Sequence, residues 1–241
     1  MGRPGNIGRK WYHPKKSPID LPRITAPFTT GIIDPPWIYT AKVSGVLRHT
    51  PPFLLRRGDN TCAAPPYPTL SVEEIKKLPI GDVIGGYLFL WTTYPMRDVA
   101  RECLEGWGFE YKSEFVWGKV DSNNRPAHGV GFWLRGAHEI ILIGAKKGMP
   151  CIRASQPTLL LAPKTRKHSE KPNDIHRLIE RHYPEPYVEL FARKRRHGWT
   201  CIGNEIDGRD IRDVLKQYLP TAQASPNSDA DNVVRLDFAK R

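Results

Sequence analysis

The sequence predicts an α/β domain with a Rossmann-like, mostly parallel sheet and helices on both faces. Three observations predict it. A β-branched run over residues 29–33 stops at Asp34-Pro35-Pro36, a continuous apolar run occupies Tyr87-Leu88-Phe89-Leu90-Trp91, and the segments between such runs show helical spacing. A run that is apolar at every position suits a strand covered on both faces, and strands alternating with helical patterns argue for a parallel sheet.

Residues 1–23 carry Arg3, Arg9, Lys10, Lys15, Lys16 and Arg23 around Trp11 and Tyr12, which predicts a basic, extended arm. The strand over 29–33 ends because two prolines can neither continue a ladder nor enter a helix interior. Residues 38–66 have no sustained period and contain Arg48, His49, Arg56 and Arg57, so they read as a long substrate or target loop. Ser71 and Glu74 form a capping-box pattern for a short helix with Val72, Ile75 and Leu78 on one face. Beyond the strand at 87–91, Pro95 opens a helix in which Met96, Val99, Ala100, Cys103, Leu104 and Trp107 recur at helical spacing until Gly106 and Gly108 end it. Residues 115–117 and 140–143 read as strands. Asn173 or Asp174 caps a helix with Ile175, Leu178, Ile179 and His182 on one stripe, 187–192 and 199–202 are strands, and 210–219 is a last helix. The folded domain is therefore 24–219, and the polar tail 220–241 is expected to be disordered.

Composition narrows the function classes. No apolar run approaches the roughly 20 residues of a membrane span, and the basic N-terminus lacks a signal-type apolar stretch, which predicts an intracellular, cytoplasmic protein with no membrane partner. Cys62, Cys103, Cys151 and Cys201 lie far apart, so no metal site is expected and the thiols read as reduced, three of them core filler. Lys and Arg number 37 against 25 Asp and Glu, and the resulting +12 points to a polyanionic partner such as nucleic acid.

Asp34-Pro35-Pro36-Trp37 is the segment most suited to chemistry, because ligands of open α/β sheets bind beyond the carboxyl ends of strands. The exocyclic amine of adenine is a poor nucleophile, its lone pair being delocalised into the ring. The Asp34 side chain and the Pro35 carbonyl would accept its two N–H bonds and stabilise charge developing on nitrogen. Pro35 and Pro36 would stiffen the turn, and Trp37 would offer a face for a flipped base.

These blocks resemble the MT-A family of N6-adenine methyltransferases. The likeness runs from about residue 31 to 207. It is carried by Ile33-Asp34-Pro35-Pro36-Trp37, Pro66-Tyr67-Pro68-Thr69-Leu70, Leu88-Phe89-Leu90-Trp91-Thr92, Glu102-Cys103-Leu104, Trp133-Leu134, His138-Glu139, His168-Ser169-Glu170-Lys171-Pro172, Glu189-Leu190-Phe191-Ala192-Arg193 and Gly203-Asn204-Glu205. The resemblance implies S-adenosyl-L-methionine as cofactor and a catalytic segment that precedes the main cofactor segment. It places Lys171 on the cofactor's carboxylate and counts Asp34 among the cofactor-binding residues. It assigns the ribose hydroxyls to Glu189 and Arg193, counts Phe191 with the cofactor-binding residues, and gives the adenosine end to Asn204 and Glu205. Tyr67 and Glu139 fall at the target-adenine pocket, His168 in a gate beside Lys171. The spacing from Arg193 to Asn204 is shorter than in the family's mRNA adenosine methyltransferase, so the resemblance leaves both Arg195 and His197 open as the cofactor contact.

Arg56 and Arg57 in the long loop read as substrate contacts, since basic side chains on phosphates position the duplex while a pocket reads the base. The compact form is similar to bacterial and phage members, which implies methylation of adenine in DNA at a short target sequence. Adenosine in RNA is the alternative, and a catalytically inactive nucleic-acid-binding subunit is the second. A homodimer or a partner subunit is part of the same expectation.

Overall fold

In the computed structural model, residues 21–37, 69–127, 134–163 and 170–219 are described. The basic arm up to Asp20, the loop over 38–66 and the tail 220–241 lie outside them.

The chain forms β1 (Phe28–Ile33), α1 (Val72–Lys76), α2 (Ile80–Val83), β2 (Ile84–Thr92), a 3-10 turn (Tyr94–Met96), α3 (Arg97–Gly106), β3 (Glu110–Val120), β4 (His138–Ala145), β5 (Leu159–Pro163), α4 (Asp174–His182), β6 (Tyr187–Leu190), β7 (Trp199–Ile202), α5 (Asn204–Asp207) and α6 (Ile211–Lys216). Seven strands make one sheet in the order β5-β3-β4-β2-β1-β6-β7. Only the pairings of β4 with β2 and β3 are antiparallel; the other four are parallel. The sheet is mostly parallel and mixed by a single reversed strand, consistent with a Rossmann-like fold.

Alternation along each strand separates two cores. Ile33, Leu88, Leu90, Ile140 and Leu142 pack on one face with Ile75, Ile80, Leu104 and Val214. Ile32, Tyr87, Phe89, Trp91 and Ile141 pack on the other with Ile175 and Ile179 of α4. Leu88, Phe89, Leu90 and Trp91 are each at most 1% exposed, and each such side chain contributes roughly 1.5–3 kcal/mol by leaving water. That is why the segment shows no polar alternation.

Local signals set several boundaries. Ser71 caps α1, its hydroxyl accepting from the Glu74 N–H while the Glu74 carboxylate accepts from the Ser71 N–H, completing the box. Helix α3 stops where Gly108 takes φ +78°, a conformation that costs glycine little. Asn173 precedes α4, but its side chain makes no cap bond; its Oδ1 accepts from Arg196 instead.

Some expectations change. The strand expected over 187–192 ends at Leu190, because Phe191 turns to φ +60° and breaks the ladder. The sequence reading found neither α2 nor β5; β5 ends in Pro163, which an edge strand tolerates because one side needs no ladder donor. Of the described cysteines Cys103 is buried, Cys201 is half-buried against the second core and Cys151 is exposed, while Cys62 lies outside the described residues. No described helix is long and apolar enough to cross a membrane.

Candidate functional site

Parallel strands deliver their carboxyl ends to one edge of the sheet, and reversed β4 brings its first residues to that same edge. Asp34 follows β1, Thr92 closes β2, Lys119 and Val120 close β3, and His138 and Glu139 open β4. On the other side of β1, the ends of β6 and β7 supply Glu189 and Asn204. Strand β1 is an interior strand flanked by β2 on one side and β6 on the other, with α1 and α2 packed on one face of the sheet and α4 on the other. It is the place where an open α/β sheet forms a crevice.

Four charges alternate across this edge. The Lys119 ammonium lies 2.6 Å from Glu139 Oε1, Lys171 Nζ lies 3.3 Å from Glu139 Oε2, and Lys171 Nζ lies 2.7 Å from Asp34 Oδ2. Lys171 also sits over the Trp91 ring at 5.3 Å, and Lys119 over Trp117 at 5.0 Å. The register explains the gathering: Trp117 pairs with Glu139 across β3 and β4, which brings Lys119, two residues along on the same face, within reach of that carboxylate.

Burial decides the electrostatics. It pushes the Asp34 carboxyl above the usual aspartate range, against the pull of Lys171. Burial would also raise Glu139, but Lys171 and Lys119 outweigh it and hold that carboxyl below the ordinary range. Burial works to lower Lys171, yet Asp34 and Glu139 together hold its ammonium above the ordinary lysine value. The sequence reading placed Lys171 on a ligand carboxylate and did not link it to Asp34 or Glu139; the structure brings all three together.

Lys119 and Trp91 were missed as site residues. Nothing in the local string distinguishes Lys119 from a solvated lysine; only its place across from Glu139 does. Lys119→Met is expected to leave Glu139 with one cation, raise its pKa and weaken any substrate contact it makes by about tenfold. Titrating the variant's activity against substrate concentration checks this, and an unchanged KM would count against a substrate role for Glu139.

The turn after β1 departs from expectation in two ways. Trp37 is 4% exposed, packs in the core and donates its indole N–H to the Trp91 carbonyl at 3.3 Å, so its ring does not present a stacking face. The Pro35 carbonyl accepts the Trp37 backbone N–H at 2.8 Å, although a carbonyl has a second lone pair for another donor. Pro36 likewise accepts from Leu70 at 3.0 Å, which ties the turn to the segment entering α1. Trp37 thus anchors the turn that carries Asp34. Trp37→Ala is expected to cost about 3–5 kcal/mol of stability through the cavity it leaves, whereas Trp37→Phe retains most activity. Thermal melts of both variants alongside activity test this; a stable but inactive phenylalanine variant would show that the indole does more than anchor the turn.

At the β6 and β7 ends, Glu189 Oε2 is 2.9 Å from His176 Nε2 and 4.0 Å from Arg196 Nε. Arg196 also donates to Asn173 Oδ1 at 2.8 Å. The basic residue that turns inward is therefore Arg196, while Arg195 and His197 are exposed. Arg193 and Glu205 pair with each other at 2.7 Å on the surface, and Glu205 lies with Asn204 in the first turn of α5. Gly203 allows this crossing: a Cβ there would fall 2.3 Å from the Ala192 carbonyl, so the backbones after β6 and β7 pack directly beside Phe191. Tyr67, His168, Arg56 and Arg57 lie outside the described residues. Among the described residues no group of three or more His, Cys, Asp or Glu side chains is arranged to hold a metal ion.

Residues 28–205, most of the chain and all of this edge from Asp34 to Glu205, match the MT-A70 family model. The chain belongs to the MT-A70 family. Among relatives of this MT-A70 chain, a putative N(6)-adenosine-methyltransferase MT-A70-like protein of Medicago truncatula is 31% identical over 68% of the chain and 28% of its own length. The human N(6)-adenosine-methyltransferase catalytic subunit METTL3 is 32% identical over 61% of the chain and 27% of its own. The type II methyltransferase M.MunI of a Mycoplasma species is 31% identical over 74% of the chain and 77% of its own length. The chain thus spans about a quarter of the length of the plant and animal relatives and most of the length of the bacterial one.

Proposed function

We propose that this MT-A70 chain transfers a methyl group from S-adenosyl-L-methionine to the N6 amine of adenine in DNA. The observation that carries the reading is the Asp34 carboxylate held at the carboxyl edge of β1, paired with Lys171 and close to Glu139. The donor set fits the cofactor: Lys171 is a cation for its carboxylate, Glu189 accepts from a ribose diol, and the Asn204 amide both donates and accepts. Phe191, Arg193 and Glu205 belong to the same binding edge.

When bound, S-adenosylmethionine supplies a methyl group activated by its sulfonium. Asp34 and the remaining lone pair of the Pro35 carbonyl accept the two amine N–H bonds and localise the nitrogen lone pair. Both acceptors stabilise the positive charge that grows as nitrogen becomes tetrahedral. Asp34, with its pKa raised by burial, is the stronger base for taking the proton released afterward. Glu139 stays ionised between two lysines, suited to accept a hydrogen bond from the target or to orient Lys171. In the same reading Tyr67 and His168 border the target pocket, and Arg56, Arg57 and the basic arm meet phosphates.

DNA is favoured because the similarity to the type II methyltransferase covers about three quarters of both chains. RNA is the second reading, supported by the relatives named N(6)-adenosine-methyltransferases. The net charge of +12 supports either polyanion, an intracellular setting suits both, and a homodimer or partner subunit accompanies the reading. Labelled methyl transfer to matched double-stranded DNA, single-stranded DNA and RNA, followed by nucleoside analysis, tests it. N6-methyladenine in DNA supports the proposal, and product in RNA alone moves the substrate. Cofactor binding without transfer to any polymer would favour an inactive nucleic-acid-binding subunit.

A further inference from the structure

We infer that His176 is a positioning residue for Glu189, fixing its carboxylate so that Oε1 is presented to the vicinal diol of the bound nucleoside. This rests on the assignment of Glu189 to a ribose diol made above.

His176 is the third residue of α4 and 4% exposed, a polar ring buried beneath the sheet edge. It is wedged edge-on against Trp199, with ring centroids 5.0 Å apart and planes at 72°. Trp199 is itself fixed: it stacks on Tyr187 at 4.8 Å and donates its indole N–H to Glu180 at 2.8 Å. The imidazole is thus held in place by an aromatic wall. A carboxylate only accepts hydrogen bonds, so the 2.9 Å contact with Glu189 requires the proton on Nε2.

The other ring nitrogen shows why this residue is more than core packing. Nδ1 is buried and has no hydrogen-bond partner among the described residues. An unpaired buried nitrogen costs stability that an apolar side chain of similar size would avoid. The hydrogen bond made by the polar ring is the one to Glu189. Both basic contacts to that carboxylate, from His176 and Arg196, fall on Oε2; among the described residues Oε1 takes no hydrogen bond. A carboxylate pinned through one oxygen directs the other, which lowers the ordering cost of binding a diol.

The test compares dissociation constants of the full chain for S-adenosylhomocysteine and its 2′-deoxy analogue. Glu189→Gln, His176→Phe and His176→Gln are measured beside wild type, with thermal melts to confirm folding. His176→Phe fills the wedge without an N–H, and His176→Gln restores one. His176→Phe is expected to weaken binding of the ribose form by about tenfold and to erase most of its preference over the deoxy form. His176→Gln regains much of that preference, and the loss in turnover falls on the cofactor KM rather than on kcat. Full diol preference in a folded His176→Phe variant, with preference lost in Glu189→Gln, overturns the inference. Preference retained in Glu189→Gln overturns the diol assignment and the inference together, while methyl transfer by the wild type would still stand.

Discussion

Asp34→Ala is expected to reduce methyl transfer by at least about 10²–10³-fold, the scale on which removing one preorganised group for transition-state charge acts. Cofactor affinity should change little, because Lys171 keeps its second carboxylate, Glu139, at 3.3 Å. The two readouts separate chemistry from binding. Single-turnover transfer and the cofactor dissociation constant should therefore move apart, and transfer within tenfold of wild type would remove Asp34 from the mechanism.

Lys171→Met is expected to act on both readouts. It removes the cation between two carboxylates at a site where Lys171 is only 12% exposed, and breaking one partner of a buried ion network costs about 3–5 kcal/mol. Asp34 remains 30% exposed, so the lower end of that range applies. Without Lys171, burial and the facing Glu139 raise the Asp34 pKa further. A group needed as carboxylate is then ionised only at higher pH, so the acid limb of the kcat/KM profile moves upward in pH. Cofactor affinity should fall as well, since its carboxylate loses a cation. An unshifted acid limb with unchanged affinity would sink both roles.

The same pairs give the wild type a defined pH window of stability. Lys171 has a raised folded pKa, so its stabilisation is complete below the ordinary lysine value and is lost only as pH rises through the folded value. Glu139 has a lowered folded pKa, so its contribution is present above the ordinary glutamate value and fades as pH falls through the folded one. Asp34 runs the other way: its raised pKa makes the ionised form a cost of folding at neutral pH. Part of the stability supplied by the pairs is offset by holding the buried Asp34 carboxylate in place.

Much of the fold was legible because its signals are local. Periods of 2 and 3.6, a capping box at Ser71 and Glu74, and a proline stop after Ile33 each act within a few residues. Short elements were not: β5 is five residues and α2 is four, too brief for periodicity to emerge. The expectation of a cofactor segment rested on family blocks, since without them Glu189 and Glu205 look like ordinary surface carboxylates.

The sequence by itself determined the α/β class and the strand that ends just before Asp34, and it singled out the string Asp34-Pro35-Pro36-Trp37 as the candidate for chemistry. Tertiary structure alone decided who meets whom there. Trp37 went into the core because its face of the turn packs under β2, and Lys119 joined Glu139 because reversed β4 lies beside β3. Lys171 reached Asp34, and His176 reached Glu189, through crossovers that bring distant segments to one sheet edge. Such pairings depend on strand order and register, which burial over the whole chain selects, and no short window of sequence encodes them.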